Sequence, residues 1–406
     1  MASAVVPPLL DFEEGARGKA RRRDHPAFNQ MPYNAHASSI VTIDDVPLPP
    51  ACITTIAVHQ PALDSPTATR VHLEDSAVRL APIPRYPLMS LPTPLMRARN
   101  LEAALGDPCP RIYLKRDDLT GLAFGGNKAR KLEYLLADAL ATGANLLVTE
   151  GAVQSNHARM TAAAAAIAGL RSLLVLDARN GDALAGNLLL DRLMGAEVRI
   201  VPDQAARVAT MERIEDELRA AGERPYVIPT GGSVPLGAVG YVAMVFELLA
   251  QLLTLSEAPV RLYHATSSMG TQAGLVVGAR AASAPFEVRG IAVERPIEDL
   301  IATGAALANA TTELLDLTAD FTEADLVIDG DFVGAGYGKP TPEGMEAIRL
   351  LARTEAVFLD PVYSGKAMAG LIAHIRSGQF DPTASVVFLH TGGGPSLFAH
   401  GPALLG

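Results

Sequence analysis

The chain has 406 residues, 49% of them hydrophobic and 19% charged, enough to bury the cores of two or three domains. A formal net charge of −10, from 44 acidic against 34 basic residues, comes with 5% aromatics and no tryptophan. That excludes the basic stripe and stacking residues of a nucleic-acid binder. Cys52 and Cys109 are too few for a disulfide framework or a cysteine metal cluster, so a reduced cytoplasm is the expected compartment.

Residues 1 to about 75 are rich in proline, alanine and charge and show no sustained periodicity. This is the composition of a disordered or loosely attached extension, and a start codon assigned too early would read the same. The one basic cluster, Lys19 to Arg23, falls in this stretch. Asp11, Glu13 and Glu14 precede any apolar run, so neither a secretory signal nor a transit peptide is expected. Organised sequence begins near Val78, and Leu91 to Leu101 leads into the first helix.

From there strands and helices alternate. Apolar β-type runs lie at Ile112–Leu114, Leu146–Thr149, Ser172–Leu176, Val198–Val201 and Tyr226–Ile228. Others lie at Val260–Tyr263, Val288–Val293, Val357–Leu359 and Val386–Leu389. Alanine- and leucine-rich helical stretches fill most of the gaps, which predicts an α/β fold of parallel sheets covered by helices on both faces. Nine strands are many for one sheet, so two α/β domains are expected. The long apolar stretch Leu236–Leu255 is of membrane-spanning length, but it contains Glu247 and Gln251 and sits between two strand-like runs, so it reads as a buried core helix. In open parallel sheets ligands sit beyond the C-terminal strand ends, and most of the polar and glycine-rich clusters of this chain fall there.

The first is GLAFGGNKARKLEY, Gly121–Tyr134, where Gly125, Gly126 and Asn127 deliver Lys128 to a helix start. Taken alone, Lys128 reads as a surface lysine. A cation at that end opposes the helix dipole, however, and an anionic ligand would reverse the penalty. A lysine held in a dry site can also lose its proton and form a Schiff base. The GxxxxGK[ST] spacing of a nucleotide-binding P-loop is absent. In GAVQSNHAR, Gly151–Arg159, the residues Gln154, Ser155, Asn156 and His157 stand together before a helix. Capping explains one of them; four fit a cofactor ring or a substrate carboxylate. His157 has no clustered acid or cysteine partner, so no metal is expected. SSMGTQAG, Ser267–Gly274, follows a strand and opens a helix. It is either an ordinary turn or a phosphate cradle made by the backbone of Ser268, Met269, Gly270 and Thr271. Tyr337 lies between Gly336 and Gly338, Tyr363 lies in DPVYSGKAM, and Thr391 follows the last strand in HTGGGPSLF. Each is placed to face a ligand.

Together these motifs carry a resemblance. From about Ala77 to Phe398 the chain resembles the fold type II pyridoxal-phosphate enzymes. Within them it is similar to the group that contains D-cysteine desulfhydrase and 1-aminocyclopropane-1-carboxylate deaminase. The resemblance implies two open twisted parallel-sheet domains with pyridoxal 5'-phosphate between them: a small domain at 132–235 and a large one at 76–131 plus 236–406. It implies Lys128 as the lysine covalently bound to the cofactor. Asn127 and Thr391 would stand at the cofactor, and Ser268, Met269, Gly270 and Thr271 would hold the phosphate. Asn156 would lie near the phenolic oxygen, Gln154, Ser155, Asn156 and His157 would bind substrate, and Tyr337 and Tyr363 would line the substrate face; the catalytic residues would be Lys128 as base, Ser155 at the substrate carboxylate or near the reacting carbon, and Tyr337 or Tyr363 as acid. A homodimer acting on a small amino acid is implied, without nucleic-acid or membrane partners.

Three positions divide the group. The deaminase pattern has glutamate after the DPVY tyrosine, leucine after the last strand's histidine and glutamine after QSN; this chain has Ser364, Thr391 and His157, as the desulfhydrase pattern does. A carboxylate at the pyridine nitrogen keeps it protonated and makes a strong electron sink, whereas a threonine hydroxyl does not. The expected reaction is therefore α,β-elimination from a D-amino acid, D-cysteine first. L-Cysteate or β-chloro-D-alanine as substrate, the cyclopropane deaminase reaction, and a catalytically silent cofactor-binding regulator stand as alternatives.

Overall fold

The computed structural model describes residue 80, residues 82–179, 181, 183–294 and 296–401, and residue 404. The N-terminal extension expected at 1–75, with Lys19–Arg23 and Cys52, lies outside the described residues. The strands are β1 (Leu95–Arg97), β2 (Arg111–Lys115), β3 (Leu146–Ala152), β4 (Arg171–Asp177), β5 (Glu197–Val201), β6 (Pro225–Ile228), β7 (Arg261–Thr266), β8 (Glu287–Ala292), β9 (Val327–Asp329) and β10 (Ser385–Leu389). Between them run α1 (Arg99–Leu105), α2 (Lys128–Ala141), α3 (Asn156–Ala168), α4 (Gly186–Leu193), α5 (Gln204–Ala220), α6 (Pro235–Leu255), α7 (Gly270–Ala281), α8 (Ile297–Leu314), α9 (Pro342–Glu355), α10 (Ser364–Arg376) and α11 (Gly394–Ala399).

The strands form two sheets. One has the order β1-β2-β10-β7-β8-β9 and the other β5-β4-β3-β6. Every pairing is parallel except β1 with β2. Parallel strands need crossovers, and helices covering both faces bury them, which is why β3, β4, β7 and β10 read as near-continuous apolar runs. Eight of the nine expected strands are present. The exception is Val357–Leu359, which forms no strand. Val357 and Leu359 are buried, but the Phe358 carbonyl accepts from His390 Nε2 at 3.0 Å instead of entering a ladder. Both neighbours of β10 are already taken by β2 and β7, so this apolar alternation reports burial without pairing. The sequence reading also missed β1 and β9, three-residue strands at the two sheet edges and too short to show a period.

Helix starts follow local chemistry. Ser155 caps α3 by accepting from the Ala158 N–H, Asp203 caps α5 through Ala206, and Thr341 caps α9 through Gly344 with proline next in line. α6 is long and apolar enough to cross a bilayer, yet here it is a core helix whose Val239, Tyr241, Val245 and Leu248 are fully buried. Its two polar residues have partners. Glu247 pairs with Lys115 and Arg130, and Gln251 bonds Lys115 and the Thr93 carbonyl. Arg130 also pairs with Asp117 at 2.7 Å, and the Tyr241 hydroxyl donates to the same carboxylate at 2.7 Å. This buried network ties α2 and α6 to the segment after β2, directly beneath the glycine turn that carries Lys128.

Candidate active site

A cavity of about 330 Å³ opens at the C-terminal strand ends, lined from both sheets. Its floor is the turn before α2. Gly125 has φ +68° and a Cβ there would overlap the Asp118 carbonyl, so only glycine fits. The Gly126 N–H donates to Asp117 O at 3.0 Å and to Thr120 Oγ1 at 2.9 Å, and the Asn127 N–H donates to Thr391 O at 3.0 Å. These bonds hold Lys128 at the first position of α2 with its side chain in the cavity. Lys128 Nζ donates to Asn127 Oδ1 at 3.0 Å, and Asn127 Nδ2 donates to Thr271 Oγ1 at 3.0 Å. Burial, reinforced by the Arg159 charge and opposed by Asp360, lowers the Lys128 pKa to about 8. A neutral amine is thus within reach near pH 8, where an ordinary lysine stays charged.

Opposite lies the start of α7. Met269 is left-handed at φ +63°, which turns the chain so that the N–H groups of Ser268, Met269 and Thr271 make no hydrogen bond among the described residues. Gly270 is required there, because a Cβ would lie 2.6 Å from Lys131 Nζ and 2.7 Å from Ser233 Oγ. Ser233 Oγ donates to Ser268 Oγ at 2.8 Å and accepts the Gly270 N–H at 3.1 Å. Lys131, one turn beyond Lys128, is fully buried against this cradle and donates to Gly231 O at 3.0 Å. Its burial and the nearby Lys128 push its pKa well down. A doubly charged phosphate is the natural counter-ion for unpaired helix N–H groups and a desolvated lysine. Sequence reasoning missed Lys131; the available signal was its i+3 spacing from Lys128, which puts both amines on one helix face.

The third wall is the α3 entrance. Gly151 leaves room for Ser155, since a Cβ there would stand 2.6 Å from Ser155 Oγ. Ser155, Asn156 and His157 all line the cavity. The N–H groups of Asn156 and His157 are free at the helix start. Both ring nitrogens of His157 are buried without a hydrogen-bond partner among the described residues, and burial with the charges of Lys128 and Lys131 keeps its imidazole neutral. Gln154 differs. Its side chain donates to Ala185 O at 3.0 Å and accepts the Asn187 N–H at 2.9 Å, so it braces the loop before α4 and does not line this cavity.

The remaining wall joins the last two motifs. The Tyr337 and Tyr363 hydroxyls share a short hydrogen bond, with the rings edge-to-face at 5.8 Å. Burial raises both phenol pKa values. Buried Asp360 accepts from the N–H groups of Val362, Tyr363 and Ser364 and from the Ser364 hydroxyl at 2.7 Å, which folds the tyrosine turn. Ser364 therefore points away from the cavity, while Thr391 lines it. Three further charged lining residues went unread in the sequence. Arg179 is paired with Asp177 and lies 5.9 Å from the Tyr337 ring centroid, Arg207 lies between Glu150 and Asp177, and Glu294 accepts from Ser267. Arg179 and Glu294 occupy loops and Arg207 the first turn of α5, none of them in a motif, brought in from separate strand ends.

The site offers a phosphate cradle, a lysine of lowered pKa beside it and a hydroxyl-lined wall. These are the fittings for an aldehyde cofactor that carries a phosphate, and Ser268, Met269, Gly270, Thr271 and Lys131 are suited to the phosphate with Lys128 at the aldehyde. The chain is 42% identical over 337 residues to D-cysteine desulfhydrases of two Klebsiella pneumoniae strains, MGH 78578 and 342, covering 81% of this chain and all of each relative. A crystal structure of a 1-aminocyclopropane-1-carboxylate (ACC) deaminase homologue superposes with a TM-score of 0.74 at 39% identity, covering 81% of this chain and 98% of that one. A threonine deaminase from T.th. shares the fold at a TM-score of 0.56 and 22% identity, over 80% of this chain and 97% of that one. Residues 88–392 match the family of pyridoxal-phosphate dependent enzymes, and the chain belongs to that family.

Proposed function

We propose that the chain is a lyase that removes sulfide from a small D-amino acid, D-cysteine first. D-cysteine and water give pyruvate, ammonia and hydrogen sulfide. The observation that carries this reading is the match at 42% identity to the whole length of D-cysteine desulfhydrases. The site chemistry supports it. Pyridoxal phosphate, held through Lys128, supplies the electron sink that stabilises negative charge at the substrate Cα.

The chain's own groups supply binding, orientation and proton transfer. Ser155 and the first N–H groups of α3 hold the substrate carboxylate. Lys128 Nζ, with a pKa of about 8, takes the Cα proton as a general base. The Tyr337 and Tyr363 hydroxyls share one hydrogen bond at the cavity wall, and Tyr337 is taken as the group that delivers a proton to the departing sulfur. Asn156, which lines the cavity, would stand at the cofactor's phenolic oxygen. Thr391, on the cavity wall, would offer the ring nitrogen only a neutral hydroxyl, a weaker sink that suffices for a thiolate, which leaves readily. The same reading takes 132–235 as a small domain closing on a large one and two copies as the working unit in a reduced cytoplasm.

The likeness to the ACC deaminase homologue favours a second reading, cyclopropane opening. Ser364 and Thr391 weigh against it, because neither places a carboxylate at the ring nitrogen. The test is the purified protein incubated separately with D-cysteine, L-cysteate, β-chloro-D-alanine and the cyclopropane amino acid, scoring sulfide, sulfite, pyruvate and 2-oxobutanoate. Equal sulfide and pyruvate from D-cysteine is expected. Release of 2-oxobutanoate with no sulfide from D-cysteine would overturn the proposal.

A further inference from the structure

Asn156 faces the cavity, but an amide can present either an oxygen or an NH₂ group, and the two differ in what they do to an anionic phenolic oxygen. Which end faces inward is decided behind the site. Asn187, in α4 and outside every motif, is fully buried and does not line the cavity. Its Nδ2 donates to the Gln154 carbonyl at 2.8 Å, and its Oδ1 accepts from Arg159 Nη1 at 2.9 Å. A carbonyl only accepts and a guanidinium only donates, so the Asn187 amide can sit only one way round. From that fixed orientation Asn187 Nδ2 also donates to Asn156 Oδ1 at 2.9 Å, and Arg159 Nη1 approaches the same oxygen at 3.4 Å. The Asn156 oxygen is thereby consumed, and its Nδ2 makes no hydrogen bond among the described residues. Arg159 is itself held, donating through Nη2 to Gly125 O at 2.8 Å in the turn that carries Lys128. The chain Gln154–Asn187–Asn156 thus converts a backbone carbonyl on one side into an amide donor on the other.

We propose that Asn187, locked by Arg159 and the Gln154 carbonyl, is a positioning residue that sets the polarity of Asn156, so that a donor and not an acceptor faces the phenolic oxygen of the cofactor. The inference rests on Asn156 standing at that oxygen, as in the proposed function. It also gives Gln154, which does not reach the cavity, a part in the site.

The test uses the full chain stripped of cofactor and reconstituted with pyridoxal phosphate, with the dissociation constant measured by equilibrium dialysis. Asn187→Asp keeps the shape and the acceptor for Arg159 but cannot donate, so the Asn156 amide turns over and aims its oxygen at the phenolic oxygen. Loss of a hydrogen bond to a charged group predicts a dissociation constant raised about ten-fold or more. In the Asn156→Ala background the same Asn187→Asp change should cost less than about two-fold, because Asn187 acts only through Asn156. A purely structural role would cost the same in both backgrounds. Asn187→Ala, which adds no charge, repeats the cycle if the aspartate variant does not fold. Parent-like affinity in a folded Asn187 variant, or a full loss retained in the Asn156→Ala background, overturns the inference. Parent-like affinity in Asn156→Ala alone overturns the placement of Asn156 itself, and the inference with it.

Discussion

Raising the pH should titrate the capacity of the cofactor-free protein to take up pyridoxal phosphate, because only the neutral Lys128 amine attacks an aldehyde. Burial strips the ammonium of water and the Arg159 guanidinium opposes it, while Asp360 pulls the other way, leaving a pKa of about 8. At pH 7 an ordinary lysine is about 0.04% neutral and one with a pKa of about 8 is about 9% neutral, a gain of roughly 200-fold. The assay is the rate at which visible absorbance appears on mixing the cofactor-free protein with pyridoxal phosphate across a range of pH. The rate should reach half its maximum near pH 8. Arg159→Met removes a cation and should move that midpoint up, and Asp360→Asn removes an anion and should move it down. The folded pKa lies below the unfolded one, so the burial cost is felt in full below about pH 8. Stability of the cofactor-free protein should then rise as pH climbs from there toward about 10.4, since the unfolded chain binds more protons in that window. A midpoint near 10, unmoved by either substitution, would refute the electrostatic account of this lysine.

Three other outcomes follow from the geometry. Gly270→Ala sets a methyl 2.6 Å from Lys131 Nζ and 2.9 Å from the Ser233 Cα, so the cradle must shift, and it should weaken cofactor binding and also lower the melting temperature of the cofactor-free protein; equilibrium dialysis and thermal unfolding check this. Tyr337→Phe should lower kcat with D-cysteine on the order of 10²-fold, as loss of a general acid does, with KM and cofactor content close to parent; steady-state sulfide release measures it. Asp117→Ala strands Arg130 in the core and should cost about 3–5 kcal/mol in urea unfolding, and a loss below about 1 kcal/mol would show that Glu247 alone satisfies the guanidinium.

Much of this protein is local in origin and could be read along the chain. The alternation of β-type runs with alanine-rich helices indicates parallel sheets, because buried parallel strands need continuous apolar sequence. Gly125, Gly126 and Lys128 announce a sharp turn ending in a helix, Ser155 announces a cap, and Ser267–Gly274 announces a strand-to-helix turn. Each depends only on backbone sterics and hydrogen bonding within a few residues. Pairing does not, and so Val357–Leu359 looked like a strand until β2 and β7 were seen to occupy both sides of β10. The second layer of the site is likewise a tertiary product. Lys131 stands beside the proposed phosphate cradle only because the α7 entrance packs against α2. Ser364 is turned away from the cavity by Asp360, and Gln154 by Asn187. Arg159 and Asn187 are 28 residues apart in sequence yet bonded at 2.9 Å. Residue type states which hydrogen bonds a side chain can make, and the fold alone decides which partners come within reach.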